Sequence, residues 1–384
     1  MERCKRCVLP LSQVEHDDDG VCMHCLDYNS GLIQWDQLRW EFHQIADQYR
    51  GRGDKYDFMV PLTGGKDSSY VLYYMTKVLN ARVLAFTWDN GLIREQAWEN
   101  MRNAVKATGV DHQVFRFMDF ESMKRVYLAT FKSFGKVCFC PMYTMLCSIP
   151  TALELKIPLI VMGFSEGQRE MDHSFQIPTN KSYTEKLHQL HSDWKDFFTL
   201  ALTENEPDLA EELLEKLMGP LGNCVENSEG VEWPKFIPMA NYIDWMSSTE
   251  LEATLAETLN YKKAAKTTTH TSCIIEPVKG YLEHKRNLTE MAMEISCFVR
   301  HGVISREEGL KEAESMGIMD AIPEEVSAFN KLLGISMKEF KEYSVRERNI
   351  PPFMREWATA LRARLEQTLP WIMGISKTSA RAYK

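Results

Sequence analysis

The 384-residue sequence predicts an α/β fold, a doubly wound parallel sheet, preceded by a cysteine-rich N-terminal segment and followed by a mainly helical C-terminal region. Short apolar segments alternate with amphipathic ones between residues 57 and 162, as in strands joined by crossover helices. Beyond about Arg169 the apolar positions recur every three or four residues, which indicates helices. The first 25 residues hold four cysteines and are too few to form a core by burial alone.

Each element of the α/β region has its own local signal. Four apolar runs bounded by polar turns predict strands: Asp57–Leu62, Ala81–Gly91, His112–Phe117 and the run Pro158–Met162. Amphipathic periodicity predicts the helices Trp35–Arg50, Tyr70–Leu79, Glu95–Gly109 and Glu121–Phe134. Gly109 suits the C-cap of its helix, because glycine adopts the left-handed conformation found there.

Four parts are expected along the chain. They are a cysteine-rich segment over 1–30, a connecting helix over 31–50, the α/β domain over 51–170, and a mainly helical substrate or oligomerisation region over 171–384. In the last part, the spacing from Ser305 to Glu308 resembles a capping box and predicts a helix start. Its apolar faces would suit either a homodimer or packing within one chain.

Composition bounds the class of protein. A hydrophobic content of 44% and a charged content of 26% are ordinary for a globular enzyme, and no apolar run approaches the roughly 20 residues of a membrane span. The basic N-terminus has no apolar signal-peptide core, so we expect a cytoplasmic protein without membrane contact. A net charge of −9 weighs against a broad nucleic-acid surface, which would need clustered Lys and Arg.

The stretch TGGKDSS, residues 63–69, follows the first predicted strand and opens a helix. Its two glycines allow positive φ and present successive backbone N–H groups, which form an anion nest with the helix N-terminus. Lys66 adds a cation, and Ser68 and Ser69 add hydroxyl donors. The spacing is neither GxxxxGK[ST] nor GxGxxG, so the glycines alone are more typical of a simple turn than of a nucleotide site.

The whole string resembles the SGGxDS signature of the PP-loop ATP pyrophosphatases, a superfamily with a HUP-like, adenine nucleotide alpha hydrolase-like fold. Thr63 replaces the usual serine and retains the hydroxyl. The resemblance implies that ATP is cleaved between its α- and β-phosphates and that AMP is placed on a carbonyl-type oxygen. Lys66 and Asp67 would be catalytic, together with Mg²⁺. The implied nucleotide-binding set in this loop is Leu62, Thr63, Gly64, Gly65, Lys66, Asp67, Ser68 and Ser69.

Two further predicted strands end in polar residues at the same edge of the sheet. Thr87, Trp88 and Asp89 end the second strand, and Gly163 and Gln168 follow the fourth. Ligands bind at the carboxyl edge of doubly wound sheets, so these residues are candidates for contacts with the nucleotide. The alternative is that they only terminate strands, and aromatic residues such as Trp88 are more often part of a core.

The N-terminal cysteines form two C-x-x-C pairs, Cys4 with Cys7 and Cys22 with Cys25. Two such pairs can place four thiolates tetrahedrally around one Zn²⁺ in a closed structural site. The alternative is four unlinked thiols, which would make the paired spacing a coincidence. Zinc here would mainly stabilise a segment too small to fold by burial.

A second group consists of Cys138, Cys140 and the distant Cys273. Two cysteines close together and one distant resemble the cluster ligands of 4Fe–4S-dependent PP-loop thiolases, which implies an iron–sulfur cluster and a catalytic role for all three. The thiolases have C-x-x-C where this chain has C-x-C, and Cys147 could replace one ligand. A persulfide pair and inert core thiols are the alternatives.

These motifs support several functions. The whole layout resembles N-acetyl sugar amidotransferases, in which ammonia from a partner glutaminase displaces the adenylated acetamido oxygen. The second cysteine group instead favours thiolation of a small molecule, such as a purine nucleobase or nucleotide, with a separate sulfur donor. A tRNA thiolase is a further alternative, disfavoured by the acidic charge. A zinc-bearing scaffold that binds nucleotide is the non-enzymatic hypothesis.

Overall fold

The computed structural model describes residues 2–28, 34–163, 183–227, 230–244, 248–263, 273–285, 290–318 and 320–344. Five strands form one sheet in the order β3-β2-β1-β4-β5, and every neighbouring pair is parallel. They are β1 Phe58–Pro61, β2 Val83–Trp88, β3 Asp111–Phe115, β4 Leu159–Met162 and β5 Lys235–Pro238. The predicted parallel α/β fold is confirmed.

Fourteen helices are found in the described ranges. The first seven are α1 Met23–Leu26, α2 Trp35–Tyr49, α3 Lys66–Tyr73, α4 Glu95–Thr108, α5 Phe120–Phe134, α6 Cys140–Glu154 and α7 Tyr183–Asn205. The others are α8 Ala210–Glu226, α9 Ser248–Leu259, α10 Glu276–Lys285, α11 Glu290–Arg300, α12 Arg306–Ser315, α13 Glu325–Leu333 and α14 Met337–Ser344. A π-helical turn over Tyr74–Val78 extends α3.

Helices cover both faces of the sheet, because successive strand side chains point to opposite sides. Phe58 and Val60 of β1 pack in a core with α2, α3, α4 and α9. Met59 points the other way, into a core with α5 to α8, α10, α13 and α14. Both β1 and β2 are buried along their whole length, as the continuous apolar runs predict for central parallel strands.

Strand β5 was not predicted, since it lies in the region that the periodicity assigned to helices. It is four residues long and pairs with β4 over Leu159–Met162 at the edge of the sheet. Four residues carry too little alternation to be distinguished from a loop.

A third core joins the ends of the chain. The cysteine segment, which we define as residues 2–28, packs its buried cysteines and Val8 against α11 and α12. Ser305 caps α12 in a capping box with Glu308, as the sequence predicts. None of the helices in the described part of the chain is long and apolar enough to cross a membrane.

Candidate functional site

The TGGKDSS loop lies at the carboxyl edge of the sheet, between β1 and the first turn of α3. Gly64 has a φ of 76°, and a Cβ there would lie 2.2 Å from the carbonyl oxygen of Ala97 on α4. Only glycine fits both constraints, because an L side chain disfavours this conformation and the backbone of α4 leaves no space. Gly65 is the N-cap of α3, so the loop delivers the chain directly to a helix N-terminus.

Hydroxyl groups brace this loop from inside. Ser68 Oγ accepts a hydrogen bond from the Thr63 N–H at 3.1 Å and donates to Gly65 O at 3.2 Å. Ser69 Oγ donates to the same carbonyl oxygen at 2.8 Å. These bonds hold the glycine turn in one shape, which preorganises its backbone N–H groups.

Asn100 on α4 also supports the loop, although no motif in the sequence indicates this role. Its Nδ2 donates to Gly64 O at 3.1 Å and to Lys262 O at 2.9 Å, while its Oδ1 accepts from the Lys262 N–H at 2.9 Å. Asn100 is 1% exposed and lies on the apolar stripe of α4 with Ala97 and Met101. A polar residue on an apolar stripe is the signal that could have identified it.

Thr87, near the end of β2, contacts the start of the loop from below. Its Oγ1 donates to Leu62 O at 2.6 Å and lies 2.8 Å from His112 Nε2. Burial lowers the pKa of His112, which favours the neutral imidazole. With the Thr87 hydrogen on Leu62 O, His112 Nε2 is the donor of the second bond, so both side chains serve to hold Leu62.

Trp88, the last residue of β2, and Asp89, which follows it, both contact neighbouring residues of the fold. Trp88 is 4% exposed and lies near Phe117 and Phe139, with ring centroids 6.0 and 6.2 Å away. Asp89 is ion-paired with Arg116 and accepts a hydrogen bond from the Gly91 N–H at 2.9 Å. Both side chains therefore shape the strand end from within the fold.

Gly163, directly after β4, lies against the first turn of α3. A Cβ on Gly163 would be 2.8 Å from the Cα of Ser68, so a side chain would push the two elements apart. This contact brings the carboxyl end of β4 against the loop and helix that follow β1, as expected for one ligand-binding edge. Gln168 lies outside the described residues.

Lys66 is the basic residue of the loop, and its side chain points into the protein. Its Nζ is 3.0 Å from Asp67 Oδ1 and 5.0 Å from the ring centroid of Phe298 on α11. Burial alone would lower the pKa of Lys66, but Asp67 and the carboxylates of Glu294 and Glu312 outweigh it and raise that pKa. The ammonium is therefore charged and held between the loop and the C-terminal helices.

Cys273 lies beside the chain that follows β2, and Cys138 is in its neighbourhood. Cys273 forms an antiparallel bridge with Ile93, and its carbonyl oxygen accepts from Arg94 Nε at 3.2 Å. Burial, Glu276 and the nearby Cys138 raise the pKa of the Cys273 thiol. Two members of the predicted group thus lie at the same sheet edge, whereas only the backbone of Cys140, at the start of α6, is described.

The four N-terminal cysteines form one compact cluster. All four sulfurs lie within 4.8 Å of one another, and every one of these cysteines is buried. The backbone N–H groups of Arg6, Cys7 and Cys22 point at Cys4 Sγ, at 3.3 to 3.5 Å. Hydrogen bonding with Cys22 lowers the pKa of Cys7, while the crowded sulfurs and burial raise that of Cys25. Such a donor set can hold a metal ion, which would stabilise the thiolate form of all four.

Comparison with protein families matches residues 278–364 to the family described as "LPS biosynthesis protein WbpG-like, C-terminal domain". Among curated proteins, the uncharacterized protein MJ1599 of Methanocaldococcus jannaschii is 24% identical over 98 residues, 26% of this chain. The match spans only 35% of the length of that relative.

Two solved structures were also found. The U34-tRNA thiolase NcsA from Methanococcus maripaludis, solved with its 4Fe–4S cluster, has a TM-score of 0.31 and 13% identity over 79% of this chain and 87% of its own. The NH3-dependent NAD synthetase from Campylobacter jejuni has a TM-score of 0.26 and 11% identity over 51% of this chain and 96% of its own.

Proposed function

We propose that this protein is an ATP-dependent enzyme of the PP-loop type, which transfers the adenylyl group of ATP to a carbonyl-type oxygen and releases pyrophosphate. The loop supports this proposal because its glycine turn, serine braces and helix N-terminus form a preorganised anion site at the carboxyl edge of a parallel sheet. Such a site stabilises the charge that develops on a departing pyrophosphate. Asp67 would help to hold Mg²⁺, which neutralises phosphate charge when bound.

The proposed acceptor is the acetamido group of a sugar. The observation that carries this choice is the contact of Lys66 with Phe298, because Phe298 belongs to the region that matches an LPS biosynthesis family. A segment that matches that family thus packs against the TGGKDSS loop, the proposed ATP site. This favours a substrate used in surface polysaccharides over a free nucleobase.

The proposed chemistry is amidation. The acetamido oxygen attacks the α-phosphorus of ATP, and pyrophosphate leaves. Ammonia then adds to the activated carbon, and AMP departs with the original oxygen, which leaves an amidine. Ammonia would come from a partner glutaminase.

Thiolation is the second candidate function, favoured by Cys138 and Cys273 at the same sheet edge. With Cys140 they could supply the thiolates of a 4Fe–4S cluster, and sulfur from a donor protein would replace the activated oxygen. The acceptor would then be a purine-like lactam, a nucleotide or, as a further alternative, a tRNA base.

For the N-terminal cluster we propose zinc. Four sulfurs placed tetrahedrally at about 2.3 Å from one ion lie about 3.8 Å apart. The Cys4–Cys25 and Cys7–Cys22 sulfur separations of 3.9 and 3.6 Å agree with that value. A closed site with four protein ligands and buried sulfurs suits a structural ion.

The first test measures AMP formation by the anaerobically purified chain. A nucleotide-linked N-acetyl sugar is offered with ammonium or with sulfide, and bound iron, sulfide and zinc are assayed in parallel. Amidation predicts sugar- and ammonium-dependent AMP formation by a protein that holds zinc alone. Bound iron with sulfide-dependent turnover would favour thiolation.

Two variants sharpen this test. Asp67→Asn should abolish AMP formation, and unchanged turnover would contradict the assignment of the PP-loop. Cys273→Ala should leave amidation intact but remove sulfur transfer. Cys224→Ala is the matched control, because Cys224 lies on α8 and its thiol donates to Pro220 O within the same helix.

A further inference from the structure

Helices α11 and α12 contribute to both candidate sites. Ile295, Ala313 and Met316 pack in a core with Cys4, Cys7 and their neighbours. Phe298 of α11 lies under the ammonium of Lys66. The cysteine cluster and the TGGKDSS loop, which is the proposed ATP site, therefore both lie against this helix pair.

Arg306, the first residue of α12, is the main polar link to the cysteine segment. Its Nε lies 3.1 Å from the carbonyl oxygens of both Cys4 and Cys7, and a terminal nitrogen donates to Cys4 O at 3.0 Å. Arg3 makes the reciprocal link by donating to Ile318 O at 2.8 Å, just beyond α12. Charge-assisted bonds such as these are stronger than neutral ones.

Close packing reinforces this link. A Cβ on Gly309 would lie 2.5 Å from Val299 Cγ2 on α11 and 3.2 Å from Val8 Cγ1 in the cysteine segment. Gly309 therefore lets α12, α11 and the segment approach one another. Ser296 of α11 is fully buried and lies near Cys7. A shift of the segment would thus be transmitted to both helices, because packed interiors yield little.

The two helices also determine the surroundings of Lys66. The carboxylates of Glu294 on α11 and Glu312 on α12 act on its ammonium together with Asp67. Both are buried, with exposures of 5% and 0%. A buried ammonium depends on such partners, because leaving it uncompensated costs several kcal/mol.

We propose that the metal-loaded cysteine segment is a positioning element for the ATP loop: it fixes α11 and α12, and these helices hold Lys66. Arg306 is the positioning residue of this connection. The inference rests on the proposed function only in naming the loop as an ATP site. It assigns to the metal an effect on a loop that contains none of its ligands.

The test measures acylation of Lys66 by an amine-reactive reagent, read by mass spectrometry on the full chain with zinc bound. Lys77, an exposed lysine in the π-helical turn that extends α3, is the internal reference. Arg306→Ala should speed acylation of Lys66 about tenfold relative to Lys77, which corresponds to about 1.4 kcal/mol of lost anchoring. Arg306→Lys should recover part of the protection. Removal of zinc from the unchanged chain by a chelator should speed acylation of Lys66 as Arg306→Ala does.

Lys311→Ala is the matched control, because Lys311 lies on α12 but is exposed and pairs only with Glu307 among the described contacts. It should leave Lys66 protected. Hydrogen exchange of β1 and β2 is followed in every sample. If Arg306→Ala also opens the sheet, Gly309→Ala is measured as a milder displacement of the same helices.

Protection of Lys66 that survives both chelation and the Arg306→Ala change would overturn the inference. If both Arg306→Ala and Gly309→Ala increased hydrogen exchange throughout the sheet, the inference would also be overturned, since the segment would then support the whole fold. Neither lysine acylation nor hydrogen exchange requires ATP. A chain that keeps the coupling but never binds ATP would contradict the proposed function alone.

Discussion

Gly64 combines a conformational and a steric requirement in one residue. The conformational requirement is its φ of 76°, which a GG pair after a strand already suggests. The contact with the backbone of α4 comes from a helix that begins about thirty residues later in the chain, at Glu95. The two requirements can be separated experimentally, because other glycines of this chain have only the first.

Gly64→Ala should weaken ATP binding by more than tenfold, because the new methyl group would lie 2.2 Å from Ala97 O and displace the loop. Gly109→Ala is the matched control, with a φ of 72° and no atom within 4 Å of its Cβ. The control should lose about 1 kcal/mol of stability and keep its affinity for ATP. Titration calorimetry and thermal unfolding separate the two effects. Equal affinity losses in both variants would contradict the steric argument.

Asn100→Ala should raise the dissociation constant of ATP about tenfold and lower the free energy of unfolding by about 2 kcal/mol, because the side chain loses its three bonds to backbone groups and a longer one from Gln96. Asn103→Ala is the control on the same helix: the residue is half-buried, and its side chain makes one exposed bond, to Asn260 O, among the described bonds. The control should change neither the free energy of ATP binding nor the free energy of unfolding by more than about 0.5 kcal/mol. If Asn100→Ala bound ATP normally, its link to Gly64 would be structural only.

His112 predicts a pH dependence of stability. Its pKa is lowered in the folded chain, so below about pH 6.5 the unfolded chain binds more protons than the folded one. Stability should therefore fall as the pH drops from 7.5 to 5.5. His112→Gln keeps a donor for Thr87 and should show a smaller fall between these pH values, measured by urea unfolding. An identical fall in both proteins would assign the effect to other groups.

At the scale of single elements, α12 shows how a local signal acquires a distant role. The capping box between Ser305 and Glu308 fixes where the helix begins, and Arg306 directly follows Ser305. The start of the helix thus determines where the guanidinium meets the carbonyl oxygens of Cys4 and Cys7. A cap that would elsewhere only stabilise a helix here also sets the position of a contact.

Ser305→Ala should cost about 1 kcal/mol through the lost cap and should also increase the acylation of Lys66. Ser336→Ala removes the equivalent serine before α14, where Ser336 and Glu339 make the same reciprocal bonds. That control should lose similar stability and leave Lys66 protected. Unfolding curves and lysine labelling together give the comparison. Equal labelling in the two variants would contradict the role of Arg306.

At the scale of the whole molecule, the chain has one sheet with a core on each face and a third core that joins its two ends. The third core places the cysteine segment next to helices more than 260 residues away in sequence. Helices from the C-terminal part thereby complete the surroundings of Lys66 in the α/β part. The surroundings of the TGGKDSS loop, the proposed ATP site, thus come from distant parts of the chain.

The sequence by itself determined the parallel α/β fold, the strands β1 to β4, the glycine turn before α3, the cap of α12 and the paired cysteines. These features are local, because periodicity, capping residues and cysteine spacing act within a few turns of chain. Only the tertiary structure decided that β5 joins the sheet, that Asn100 holds Gly64 and Lys262, and that Lys66 faces α11. The physical reason is sequence separation: Asn100 bonds a backbone 162 residues away and Arg306 one 302 residues away. No local pattern encodes such a contact, which exists only once the cores have packed.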